Sequence, residues 1–126
     1  MKDEGRRIKK KKPLIPLLPQ VMDFHLADDD RLERKIQSSI MAFLKKVPYS
    51  NFAKIQQGPL SKGGISDIIG CYRGRFLAME VKRQATEPTP LQAEYLNKNV
   101  EAGGLSAVVR SVADVKEVLR RVKNQI

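Results

Sequence analysis

One stretch restricts the fold more than any other: Ser66-Asp67-Ile68-Ile69-Gly70-Cys71-Tyr72-Arg73-Gly74-Arg75-Phe76-Leu77-Ala78-Met79-Glu80-Val81-Lys82. Two runs of apolar, β-branched and aromatic residues flank Arg73-Gly74, the pattern of two strands joined by a tight turn. Alternate residues of a strand share a face, so Phe76, Ala78, Glu80 and Lys82 fall on one side and Leu77, Met79 and Val81 on the other. A carboxylate and an ammonium thus stand together at the end of an apolar strand, where charge is costly unless it pairs or coordinates a cation. Asp67, at the entry to the first strand, supplies a second carboxylate. Oxygen ligands from Asp67 and Glu80 suit Mg²⁺ or Mn²⁺, with Lys82 beside the water such an ion activates. An exposed ion pair on a solvated hairpin accounts equally well for these three residues taken alone.

The remaining chain divides into recognisable segments. Asp28-Asp29-Asp30 precedes an amphipathic pattern of Leu32, Ile36, Ile40, Phe43, Leu44 and Val47, which Pro48 stops. Acidic residues at that point are expected to cap the helix and favour its dipole. Glu33 lies on the flank shared with Ile36 and Ile40 and can point along the core face toward the sheet edge; an exposed first-turn glutamate is the alternative. Residues 51–56 read as a short strand and 57–64, rich in Gly, as a loop. Gly63 and Gly64 would let a backbone or a phosphate come close to Asp67, and Lys54 and Lys62 are placed to contact a nucleic-acid backbone. No Gly-Lys-Ser/Thr follows, so the loop is not a Walker-type phosphate cradle.

Beyond the hairpin, Thr89 is expected to cap a helix with Pro90 in its first turn and Leu91, Tyr95, Leu96 and Val100 as its apolar stripe, ended by Gly103-Gly104. Gln92 shares a face with Leu96 and must find hydrogen-bond partners there. Leu105-Ser106-Ala107-Val108-Val109-Arg110 reads as a buried strand. Ser111 then caps a last helix, with Asp114 three positions on. The single cysteine, Cys71, rules out an internal disulfide and a thiolate cluster, and its place in the strand reads as a small buried apolar residue. The order is helix, three strands, helix, strand, helix, and the helical crossover between the last two strands calls for a right-handed parallel connection.

Charge narrows the partners. The 126 residues include 24 Lys and Arg against 14 Asp and Glu, a net charge of +10 that suits an anionic partner such as nucleic acid. Seven basic side chains stand in residues 1–12, so half of the excess lies in a basic, Pro-rich arm. This arm, residues 1–27, is expected to be flexible, and residues 28–126 to form the folded domain. It could bind phosphates, keep the protein dispersed or pack on a second subunit. No apolar run approaches a membrane span, and prolines break the short apolar segment after the basic run, so the chain reads as cytoplasmic.

Taken in order, a helix carrying Glu33, then Gly64-Ile65-Ser66-Asp67, then Met79-Glu80-Val81-Lys82, then Thr89-Pro90-Leu91-Gln92 resembles the PD-(D/E)XK nuclease superfamily. More narrowly, residues 30–126 are similar to a stand-alone VRR-NUC domain, the virus-type replication-repair nuclease. One departure is Ser66, where the family often has Pro. The resemblance implies an α/β core of order αβββαβα, with a mixed central sheet flanked by helices. It also implies Mg²⁺ or Mn²⁺ held by Asp67, Glu80 and the carbonyl of Val81, with Lys82 near the attacking water. Glu33 would support the metal, and Gln92 would orient that water or the strand carrying Lys82. Lys54, Lys62, Gly63, Gly64 and Arg83 make up the expected nucleic-acid contacts. The implied activity is a structure-selective DNA endonuclease, acting on branched DNA such as Holliday junctions as a homodimer and leaving a 5′-phosphate and a 3′-hydroxyl. Two other readings stay open: a noncatalytic basic DNA-binding module, and a nicking or restriction-type endonuclease on linear duplex.

Overall fold

The structure, a computed structural model, describes residues 15–56 and 63–125. Lys62 of the expected nucleic-acid contacts therefore lies outside the described residues. Along the chain run β1 (Met22–Asp23), α1 (Glu33–Leu44), β2 (Ser50–Lys54), β3 (Ile68–Tyr72), β4 (Arg75–Val81), α2 (Pro90–Glu101), β5 (Leu105–Val109) and α3 (Val112–Asn124). The result is a mixed α/β fold, one five-stranded sheet in the order β1-β5-β4-β3-β2 with three helices. From α1 onward the element order is the one expected.

Local chemistry explains the hairpin at its centre. Arg73 and Gly74 both take left-handed backbone, φ 51° and 84°, as a two-residue turn of the primed type requires. β3 and β4 then pair antiparallel from Tyr72 opposite Arg75 to Ile68 opposite Met79. β2 adds antiparallel to β3, whereas β5, reached through α2, runs parallel to β4. Two helix starts follow from their sequences. At α2 the Thr89 hydroxyl accepts from the Gln92 N–H at 3.3 Å, while Gln92 Oε1 accepts from the Thr89 N–H at 2.9 Å. At α3 the Ser111 hydroxyl accepts from the Asp114 N–H.

The two faces of the sheet are covered unequally. Leu77, Met79 and Val81 of β4, with Ile68, Ala107 and Val109, bury against Ile36, Ile40 and Leu44 of α1 and Val115, Val118 and Val122 of α3. On the other face Val108 packs with Leu96 of α2 and Val21 in a smaller cluster. Glu80 lies opposite Val108 in the register, so it belongs to this second, α2 face. No helix among the described residues is long and apolar enough to cross a membrane.

Four expectations need correction. The described part of the segment read as a flexible arm is built into the fold: β1 pairs parallel with β5, and Asn97 clasps the chain ahead of it by accepting from the Leu18 N–H and donating to the Pro16 carbonyl. A two-residue strand among prolines is too short to show a period. The aspartate run does not cap α1, whose cap position is Leu32 with no side-chain hydrogen bond. The run ends two residues short of that position, and Asp29 instead holds Arg31 at 2.8 Å. Cys71 is exposed, because α2 covers β4 and β5 and leaves this part of the α2 face open. Leu91 is exposed as well, lying nearly opposite Ala93 and Leu96 around the helix, and those two residues are the buried ones.

Candidate active site

The end of the hairpin away from its turn gathers the charged residues. Asp67 immediately precedes β3, and its main-chain carbonyl accepts from the Ile55 N–H at 2.8 Å, which extends the β2–β3 pairing by one step. Its side chain turns across to β4, where Oδ2 accepts from the Val81 N–H at 2.8 Å. That bond fixes the Asp67 carboxylate beside the last residues of β4, and so beside Glu80. Glu80 is 1% exposed and Lys82 8%. The Lys82 ammonium stands 3.9 Å from Glu80 Oε2, near enough for attraction but beyond hydrogen-bond range. Lys82 is itself held by its N–H, which donates to the Val109 carbonyl at 3.0 Å.

Burial and a like-charged neighbour make this an electrostatically strained place. Loss of water first, then the charge and hydrogen bonding of Asp67, push the Glu80 carboxyl up to about 9; Glu33 pushes it further and Lys82 opposes. Without a cation, burial and the neighbouring Asp67 therefore disfavour the charged form of Glu80. Even so the site is incompletely satisfied. Among the described residues, Glu80 Oε1 and the Ser66 hydroxyl are buried without a hydrogen-bond partner. Buried polar atoms of this kind are uncommon and ask for an explanation, such as a bound ion or water.

The expected site residues divide into those the fold assembles and those it holds elsewhere. Asp67, Glu80, Val81 and Lys82 come together, and Glu33, first residue of α1, is near enough to act on the Glu80 carboxyl. Gln92 does not stand in the site by its carbonyl, because that oxygen is taken by the α2 capping box, which leaves its amide nitrogen. Gly63 and Gly64, at φ 75° and 92°, have the left-handed backbone that glycine tolerates. A Cβ on Gly64 would meet the Cβ and carbonyl of Leu91 at 3.3 Å, so this glycine also admits the start of α2. Lys54 is exposed at the end of β2. Arg83 is exposed too, but its guanidinium reaches back to the Asp30 carbonyl at 3.1 Å.

Sequence reasoning missed a second charged cluster nearby. Arg110, directly after β5, is fully buried, and its guanidinium donates to Asp23 at 2.6 Å, to Glu87 at 3.3 Å and to the carbonyls of Phe24, Arg83 and Thr86. Its own N–H donates to Asp114, which also accepts from the Leu26 N–H. This clamp ties β1 and the 83–87 loop to β5, and so supports the chain directly after Lys82. A cation at the end of an apolar run was the only available signal.

Among the described residues no three His, Cys, Asp or Glu side chains group as ligands for an ion, so a cation at this place would rest on two carboxylates and other oxygen donors. Comparison of the chain with protein-family models, curated proteins and solved structures gives no match.

Proposed function

We propose that this chain is a divalent-metal-dependent endodeoxyribonuclease that hydrolyses phosphodiester bonds, with branched DNA as its preferred substrate. One observation carries the reading: the buried, incompletely satisfied carboxyl group of Glu80 beside the half-buried carboxylate of Asp67, with the ammonium of Lys82 alongside.

The donor set fits Mg²⁺ or Mn²⁺, which prefer oxygen ligands. Asp67, Glu80 and the carbonyl of Val81 would hold the ion, and the orphaned Glu80 oxygen is the group with most to gain. When bound, such an ion lowers the pKa of water and neutralises a phosphate oxygen. The protein's own residues supply the remainder. The Val81 N–H keeps the Asp67 carboxylate aimed into the site. Lys82, almost fully buried, presents positive charge where a hydroxide and a phosphorane oxygen develop negative charge, and low exposure strengthens that effect. Glu33 adds negative potential at the edge of the site, which favours a cation. The role of Gln92 narrows to its amide nitrogen and to holding the start of α2.

These groups address phosphate and not base edges, so selection rests on DNA shape. A symmetric homodimer would offer two such sites to two strands of a junction. The test is cleavage of labelled four-way junction, fork, nicked duplex and linear duplex with Mg²⁺, with Mn²⁺ and with chelator. Cleavage is expected with either metal, paired on the junction, and lost by at least about 10³-fold in Glu80→Ala and Lys82→Ala. DNA binding with no cleavage under either metal would replace this reading with a noncatalytic DNA-binding module.

A further inference from the structure

The opposite end of the hairpin carries features that the carboxylate site does not use. Tyr49 is 73% exposed and has left-handed backbone at φ 60°, a conformation that suits Gly or Asn and is unusual for an aromatic residue. The strain holds a large ring out in solvent, where it contributes little to a core. Arg73, from the turn, donates its N–H to the Tyr49 carbonyl at 2.8 Å and lays its guanidinium over the Tyr49 ring, 4.8 Å from the centroid. The same guanidinium lies 5.6 Å from the centre of Tyr72 and donates to that phenol.

Further cations neighbour this stack in the chain and in the strand register. Lys45 and Lys46 close α1 just before Tyr49, and Arg75 pairs with Tyr72 across the hairpin. Neither residues 41–54 nor residues 68–79 contain an Asp or Glu. Among the described residues, none of Lys45, Lys46, Arg73 and Arg75 has a carboxylate partner, whereas Arg110, Arg120 and Arg121 all do. Unpaired cations around an exposed ring, with an arginine stacked on it, form the combination that takes phosphates and a nucleobase together. An anionic membrane would use the charge but has no counterpart for a stacked ring held by a strained backbone.

We infer that the turn end of the β3–β4 hairpin is a single-strand nucleic-acid site. An unpaired base stacks on Tyr49, and adjacent phosphates lie against Lys45, Lys46, Arg73 and Arg75. The inference rests on the proposed function only in taking nucleic acid as the partner. Its surface stands six residue steps from Asp67 along the strand, roughly 20 Å, so it binds flanking substrate and not the scissile phosphate.

The test is fluorescence anisotropy with a labelled oligothymidylate and a blunt duplex of equal length, in chelator so that no cleavage occurs. Thermal unfolding is followed on the same proteins. Tyr49→Asn removes the ring and suits the backbone, so affinity for the single strand falls about tenfold while stability holds or rises; Tyr49→Phe keeps the affinity. Replacing Lys45 and Lys46 together by Ala lowers the salt dependence of single-strand binding by about 1.4 in log–log slope. Unchanged affinity in Tyr49→Asn would overturn the inference, as would affinity and stability falling together, or a preference for duplex. So would these same substitutions abolishing binding to phosphatidylserine vesicles while sparing the oligonucleotide. Because binding is read without metal, the result is separate from whether the Asp67–Glu80 site cleaves.

Discussion

Arg110 and Glu80 are buried to the same degree, on or just beyond adjacent strands, yet they are surrounded in opposite ways. The Arg110 guanidinium has two carboxylates and three carbonyls around it, and Asp114 holds its main chain. Glu80 faces a second carboxylate, leaves one oxygen without a partner and has its cation at 3.9 Å, short of contact. A charge enclosed by matched partners holds a fold together; an acid enclosed beside its own kind resists ionisation, and ionising it raises the energy of the folded protein. The first cluster therefore reads as a structural fastener. The second is tolerable where a function needs it, and an ion supplied from outside would complete it.

The largest effect that could break this contrast is on stability. Arg110→Ala leaves Asp23, Glu87 and three part-buried carbonyls without their donor, and should destabilise the protein by about 3 kcal/mol in urea unfolding. A loss under about 1 kcal/mol would mean that the clamp is not a fastener and would remove one side of the comparison.

Glu80 should behave in the reverse sense. Its carboxyl titrates near 9 in the folded, cation-free protein against an ordinary value of 4.5. The folded state thus keeps a proton that the unfolded chain releases, so stability is fullest below the ordinary value and declines as pH rises toward 9. Glu80→Gln keeps the shape without that liability. In chelator at pH 8 its unfolding midpoint should exceed the wild type by about 5 °C, and at pH 4 the two should converge. Equal midpoints at pH 8 would show that Glu80 is satisfied after all.

The smallest effect concerns Gln92, whose side-chain carbonyl belongs to the α2 cap. Gln92→Ala should cost about 1 kcal/mol, and Gln92→Glu, which keeps the acceptor, much less. If Gln92→Glu cleaves DNA as well as the wild type, the residue is a cap alone. If it loses activity at unchanged stability, the amide nitrogen belongs with Lys82.

What could be read ahead of the structure was local. Arg73-Gly74 announces its turn, Thr89-Pro90 and Ser111 announce their helices, and strand alternation alone puts Glu80 beside Lys82. The approach of Asp67 to Glu80 follows from the same hairpin. What escaped depends on partners distant in the chain: Arg110 reaches Asp23 across 87 positions and Thr86 across 24, which no periodicity encodes. β1 exists only because β5 offers it an edge. Cys71 was misplaced because its burial depends on how far α2 extends over the sheet. The exposed ring of Tyr49 likewise meets its arginine only through the fold.

A cation seated between Asp67 and the unpartnered oxygen of Glu80 would stabilise the folded protein through Glu80. The most direct test is thermal unfolding of wild-type protein and Glu80→Gln, each with and without millimolar Mn²⁺ at pH 7.5. Mn²⁺ is expected to raise the wild-type midpoint by several degrees, as a ligand at about 100 times its Kd would, and to leave Glu80→Gln unmoved. No shift in the wild type, or the same shift in both proteins, would contradict a cation at Glu80.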